Sequence, residues 1–163
     1  MAPHLRTLLA GLAIGFAVAG CGGSSAKAPA AAACGAVVPE ALDSNLGHVL
    51  PGAPEPTYLT DPPTSGPHAP GAAPTGAVDA PLTRPVQVGL LEAGGVLVQY
   101  RDAADLDWLR PLATGSVVVA PNPDLADRVV ATAWLYKQSC SGQDADALGR
   151  FAVDHAGHGP DGG

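Results

Sequence analysis

Val86-Gln87-Val88-Gly89-Leu90-Leu91-Glu92-Ala93-Gly94-Gly95-Val96-Leu97-Val98-Gln99-Tyr100 is the stretch with the strongest strand patterning in the chain. Val86, Val88 and Leu90 alternate before the break at Ala93-Gly94-Gly95, and Val96, Val98 and Tyr100 alternate after it. The spacing predicts two strands, with the glycines forming a bulge or a tight hairpin. Downstream, residues 103–112 read as a helix, with Leu106, Trp108 and Leu109 available for burial and Pro111 near the end. Residues 116–120 hold Val117, Val118 and Val119, a continuous apolar run that predicts a fully buried strand. Residues 128–136, rich in Val, Thr and aromatics, predict another. Residues 144–155 predict a final helix: Asp144 and Asp146 suit its first turn, Leu148, Phe151, Ala152 and His155 follow helical spacing, and Gly157 ends it. The sum is a small α+β domain, a mainly antiparallel sheet of three to five strands with one or two helices packed on it.

Upstream, regular structure gives way to loops. Pro62-Pro63-Thr64-Ser65-Gly66-Pro67-His68 cannot be strand or helix, because its prolines remove N–H donors and fix φ while Gly66 permits a positive φ. Pro70, Pro74 and Pro81 extend this irregular stretch toward residue 85. Residues 34–54 carry Val37, Val38, Leu42, Val49 and Leu50 without strong period, consistent with turns and one short strand or helical turn. Residues 22–33 are Gly, Ser, Ala and Pro with Lys27, a composition that cannot bury apolar area and reads as a flexible tether.

The first twenty residues follow the plan of an export leader. Arg6 is followed by an apolar stretch from Leu8 to Ala19 that is too short and glycine-rich to span a bilayer. Val18-Ala19-Gly20-Cys21 resembles the lipobox that bacterial lipoprotein signal peptidase reads. The organisation expected is a signal peptide over 1–20, an anchor and tether over 21–33 with Cys21 lipidated, and one domain over 34–163. Acyl chains on Cys21 contribute about 0.8 kcal/mol per buried CH₂, so attachment to the outer, extracytoplasmic face of a cell membrane would be lasting. Cys34 and Cys140 remain, and an even count in an oxidising compartment predicts a disulfide between them. Closing a loop of that length contributes about 4 to 5 kcal/mol by chain-entropy arithmetic.

The formal charge is −7 with 21 Gly and 17 Pro in 163 residues. An acidic chain without a basic patch argues against nucleic acid or anionic lipid headgroups as partners. With only 2 Trp, 3 Tyr and 2 Phe, the core must be built from small aliphatic side chains.

From His48 onward the chain resembles a bacterial family known as domain of unknown function 3105. The resemblance rests on Gly47-His48-Val49, Pro51-Gly52, Tyr58 with the heptapeptide 62–68, Leu91-Glu92, Gly94-Gly95-Val96, Tyr100 and Thr132-Ala133-Trp134. The helix of Phe151 and the terminal Gly159-Pro160-Asp161 fit more loosely. The heptapeptide is its specific part. Members of the family typically carry His-x-Leu-Glu-His-Gly on the central strand. Here that run is Gly89-Leu90-Leu91-Glu92-Ala93-Gly94, which keeps Glu92 and replaces both histidines. The resemblance implies no established reaction.

The survivors His48, His68 and Glu92 form a candidate ligand set for a divalent transition metal such as Zn²⁺, which takes three or four N, O or S donors. His155 and His158 are further imidazoles, but Gly157 lies between them and their rings need not share a face. Blander readings stand beside these. His68 can hydrogen-bond the backbone of its own loop, His155 can cap a helix end, and Glu92 can be a buried carboxylate held by backbone N–H groups. Asp102, Asp105, Asp107, Asp124 and Asp127 read as solvated charges without calcium-loop spacing. Ser65 lacks the strand-to-helix elbow that exposes a nucleophile. Phosphate loops, zinc cysteine pairs and nucleotide fingerprints are absent from the sequence. Two expectations follow: a non-enzymatic module that binds a protein partner or small ligand through its proline-rich loop, needing no cofactor, or a metal site on His48, His68 and Glu92.

Overall fold

Val96-Leu97-Val98-Gln99-Tyr100 buries all five of its side chains. Successive strand residues point to opposite faces, so such a run requires cover on both sides of the sheet. The computed structural model, which describes residues 32–161, supplies that cover.

In chain order the elements are β1 (Val38–Pro39), β2 (Gly76–Ala77), α1 (Arg84–Glu92), β3 (Val96–Tyr100), α2 (Leu106–Leu109), β4 (Val117–Pro121), β5 (Val129–Ala133), β6 (Tyr136–Cys140) and α3 (Ala145–His155). Short 3₁₀ turns at Ala103–Asp105 and Arg110–Leu112 flank α2. The sheet order is β1-β6-β5-β3-β4-β2. The pairs β1·β6, β6·β5 and β5·β3 are antiparallel, while β3·β4 and β4·β2 are parallel. The fold is α+β with a mostly antiparallel sheet, as the sequence predicts. Six strands form instead of three to five because the two edge strands are only two residues each, too short to leave a period in the sequence.

One face of the sheet presents Val96, Val98, Val119, Val129 and Ala131 to Leu148 and Phe151 of α3 and to Leu109 of α2. The other presents Leu97, Val118 and Ala120 to Leu90 and Leu91 of α1. Asp144 caps α3, its carboxylate accepting from the Ala147 N–H at 3.0 Å. Cys34 and Cys140 are joined by a disulfide across 106 residues, tying the start of the described chain to the end of β6.

Three local expectations are overturned. Val86, Val88 and Leu90 do not form a strand; they lie on α1, the element that also carries Glu92. Alternation over five residues fits a strand, but Gln87, Val88, Leu90 and Leu91 are the buried set, and that stripe is helical. Pro85 near the helix start has a φ suited to it, and the Thr83 carbonyl accepts from Val86 and Gln87. Gly94, at φ +80°, ends the helix and forms no hairpin: its N–H donates to Leu91 and that of Gly95 donates to Leu90.

Residues 128–136 are not one strand. They are β5 and a turn at Trp134-Leu135 that leads directly into β6. Leu135 takes φ +64° without being Gly or Asn, so local chemistry does not announce the turn. Distant partners hold it: Leu135 N–H donates to Thr64, and the Leu135 carbonyl accepts from Glu40.

Asp105 is not a solvated charge. It is fully buried, and Arg128 donates to both of its oxygens, at 2.6 to 3.0 Å, while the Trp108 indole donates at 2.8 Å. The Arg128 guanidinium holds this carboxyl below the usual aspartate range, and the Trp108 hydrogen bond acts in the same direction.

Candidate functional site

The heptapeptide 62–68 is irregular, as its composition requires, yet every one of its residues is buried. A buried loop must find partners for its backbone groups, and here they come from four separate segments. Thr64 accepts from Leu135 in the β5–β6 turn. Ser65 Oγ accepts from the Asp43 N–H at 2.9 Å, so this hydroxyl serves the loop. Tyr58 OH donates to the Pro67 carbonyl at 2.7 Å, and burial, reinforced by Glu55, pushes the phenol up to about 12. His68 N–H donates to Gly47, its carbonyl accepts from Val49 at 2.7 Å, and Ala69 N–H donates to Pro85 at the start of α1. Gly66 sits at φ +128°, and an added Cβ there would lie 2.9 Å from the Tyr58 ring.

These bonds bring the predicted residues together. His68, 5 % exposed, places Nε2 2.7 Å from Glu92 Oε2 at the end of α1. His48 pairs with His68 in an isolated parallel bridge, and the two rings meet edge to face at 4.7 Å. His68 Nδ1 lies 3.4 Å from the Gly66 carbonyl. Both ring nitrogens therefore face acceptor oxygens, Nε2 that of Glu92 and Nδ1 that of the Gly66 carbonyl in the ring's own loop. Glu92 is held by an imidazole, which differs from the backbone cradle expected for it. Among the described residues no group of three or more His, Cys, Asp and Glu side chains is placed to hold a metal ion.

His155 is elsewhere. Its ring stacks on Tyr136 at 4.3 Å and leans on Phe151 at 4.6 Å, and burial pushes its proton affinity down. The segment after it crosses the end of α1: Gly157 N–H donates to Gly94, and Asp161 N–H donates to Glu92. A Cβ on Gly159 would lie 2.6 Å from the Leu91 carbonyl oxygen, so only glycine fits this crossing.

Beside the His48–His68 bridge a cavity of about 390 Å³ opens between Val49, Leu50 and Ala53 on one wall and Ala69, Pro70 and Pro85 on the other. Leu50 is 72 % exposed at its rim. A second cavity of about 220 Å³ contains Glu55, Asp61, Arg84, Gln87, Asn122 and Asp124. Its lining residues Asn122 and Gln87 are joined through the buried Gln99 behind them: Asn122 donates to Gln99, Gln99 to Gln87, and Gln87 to the Leu82 carbonyl. In the sequence the signal for this chain is Gln99, a polar residue within an otherwise apolar strand. The Asp105–Arg128–Trp108 cluster left no such signal, because its members meet only in three dimensions.

A family model described as a protein of unknown function, DUF3105, matches residues 53–163. No curated protein and no solved structure shows a significant match.

Proposed function

The chain belongs to the DUF3105 family, and from that premise we propose that it is a non-enzymatic binding module of the cell envelope, tethered by lipid on Cys21 and receiving a ligand in the groove beside Val49, Leu50 and Pro85. The leader and Cys21 lie outside the described residues, so the anchor rests on the lipobox-like sequence alone. Among the described residues no helix is long and apolar enough to cross a membrane.

The ligand surface proposed is not the proline-rich loop itself, because residues 62–68 are all buried. That loop is the scaffold, and the groove lies where its exit at Ala69-Pro70 meets α1. The observation that carries the reading is an apolar cavity of about 390 Å³ rimmed by an exposed leucine, a size and lining suited to small ligands. Amide chemical shifts of the mature chain, followed against a library of small apolar fragments, test it. Shifts should concentrate at residues 49–53, 69–70 and 85; hits scattered elsewhere or none at all would end it. For the anchor, a Cys21→Ala variant should leave the membrane fraction.

A second reading is motivated by the convergence of His48, His68 and Glu92. Turning Glu92 away from Nε2 would free two imidazoles and a carboxylate for a divalent cation. Elemental analysis and zinc titration of the chain decide it; unchanged metal content in a His68→Ala variant that keeps its fold removes it.

A further inference from the structure

We infer that the groove takes a small amphiphilic cation, an apolar group joined to an amine or guanidinium. This inference rests on the groove being the binding site. The apolar cavity and the polar one share Glu55 and Thr83, so they adjoin at the start of α1. One end offers Val49, Leu50 and Pro85. The other offers the carboxylates of Glu55, Asp61 and Asp124 against a single guanidinium, Arg84.

That guanidinium is already engaged: Arg84 Nε lies 2.7 Å from Glu55 Oε1, with both side chains nearly half exposed. Among the described residues neither Asp61 nor Asp124 has a salt-bridge partner. The polar end is therefore net negative, and the chain as a whole carries −7. A positive group gains Coulomb energy there, while an anionic one meets like charge. The amides of Gln87, Gln99 and Asn122 are committed to each other and to Leu82, which holds this wall in place before a ligand arrives. With its apolar part against Leu50 and Pro85, a ligand of this shape places its positive end toward Asp61 and Asp124.

The test uses the mature chain with three probes of equal length, hexylamine, hexanol and hexanoate, titrated while backbone amide shifts are followed. Hexylamine should bind about tenfold or more tighter than hexanoate at low salt, with the advantage shrinking as salt rises. Asp61→Asn combined with Asp124→Asn should remove that advantage and leave hexanol binding unchanged. Ala53→Trp, which fills the apolar end, should abolish binding of all three. If hexanoate or hexanol matches hexylamine on the wild-type chain, the ligand class is overturned while the groove stands. If none of the three moves the amides of Val49, Ala69 or Gln87, the groove reading falls with it. The wild-type charge series decides the matter even if a variant fails to fold.

Discussion

Glu92→Leu should destabilise the domain by about 2 to 3 kcal/mol, and Glu92→Gln by about 1 kcal/mol. The difference follows from the surroundings of His68. Its side chain is 6 % exposed and its Nε2 meets Glu92 Oε2 at 2.7 Å. Water cannot replace the carboxylate, so leucine leaves a buried N–H without an acceptor, which costs about 1 to 3 kcal/mol in addition to the lost charge-assisted bond. Glutamine keeps a carbonyl oxygen at the same reach. Urea titration of the soluble domain with unchanged m-values reads the difference, and a domain of this size should lose roughly 3 to 4 °C of Tm per kcal/mol. A double-mutant cycle with His68→Ala should return a coupling of about 1 kcal/mol or more. If Glu92→Leu and Glu92→Gln cost the same, or the cycle shows no coupling, the pair does not hold the heptapeptide against α1. A chelator should move neither midpoint; a shift on chelation would favour the metal reading.

Asp105→Asn should cost about 2 to 4 kcal/mol near neutral pH, because Arg128 and Trp108 lose a buried anionic acceptor. Arg128 lowers the folded pKa of Asp105 below the ordinary 3.8, so its stabilisation is present above 3.8 and is lost as pH falls through the folded value. Urea midpoints between pH 3 and 6 should show an acid-side loss in wild type that is reduced in the variant. Gly159→Ala should lift the C-terminal segment off α1, raising hydrogen exchange at the Gly157 and Asp161 amides and lowering stability by about 1 to 3 kcal/mol. Unchanged protection at both amides would refute the crossing. Replacing Cys34 and Cys140 together by Ser should cost about 2 to 5 kcal/mol through the 106-residue loop, measured by denaturation without reductant.

The metal-site candidates show how far residue types alone reach. His48, His68 and Glu92 are legible as candidates from their residue types, and the fold packs both His48 and Glu92 against His68. What the residues could not disclose is that Glu92 and the Gly66 carbonyl flank both His68 nitrogens, because that depends on where α1 ends relative to a loop more than twenty residues upstream. The groove was equally hidden. Val49, Leu50, Ala69 and Pro85 are ordinary loop and helix-start residues until backbone bonds from Val49 to His68 and from Ala69 to Pro85 place them around one space.

Local interactions explain what the sequence determined alone. Asp144 beside helical spacing specifies α3, three successive valines specify β4, and prolines exclude regular structure from residues 62–68, since each effect acts within a turn or two of its own residue. Tertiary structure decided the rest. Leu135 adopts φ +64° because Thr64 and Glu40 hold its backbone, Val86 to Leu90 coil because one stripe of them covers Leu97 and Val118, and Asp105 stays charged in the interior because Arg128 meets it. In each case the deciding partner is far away in sequence, and its free energy outweighs a local preference that was ambiguous or contrary.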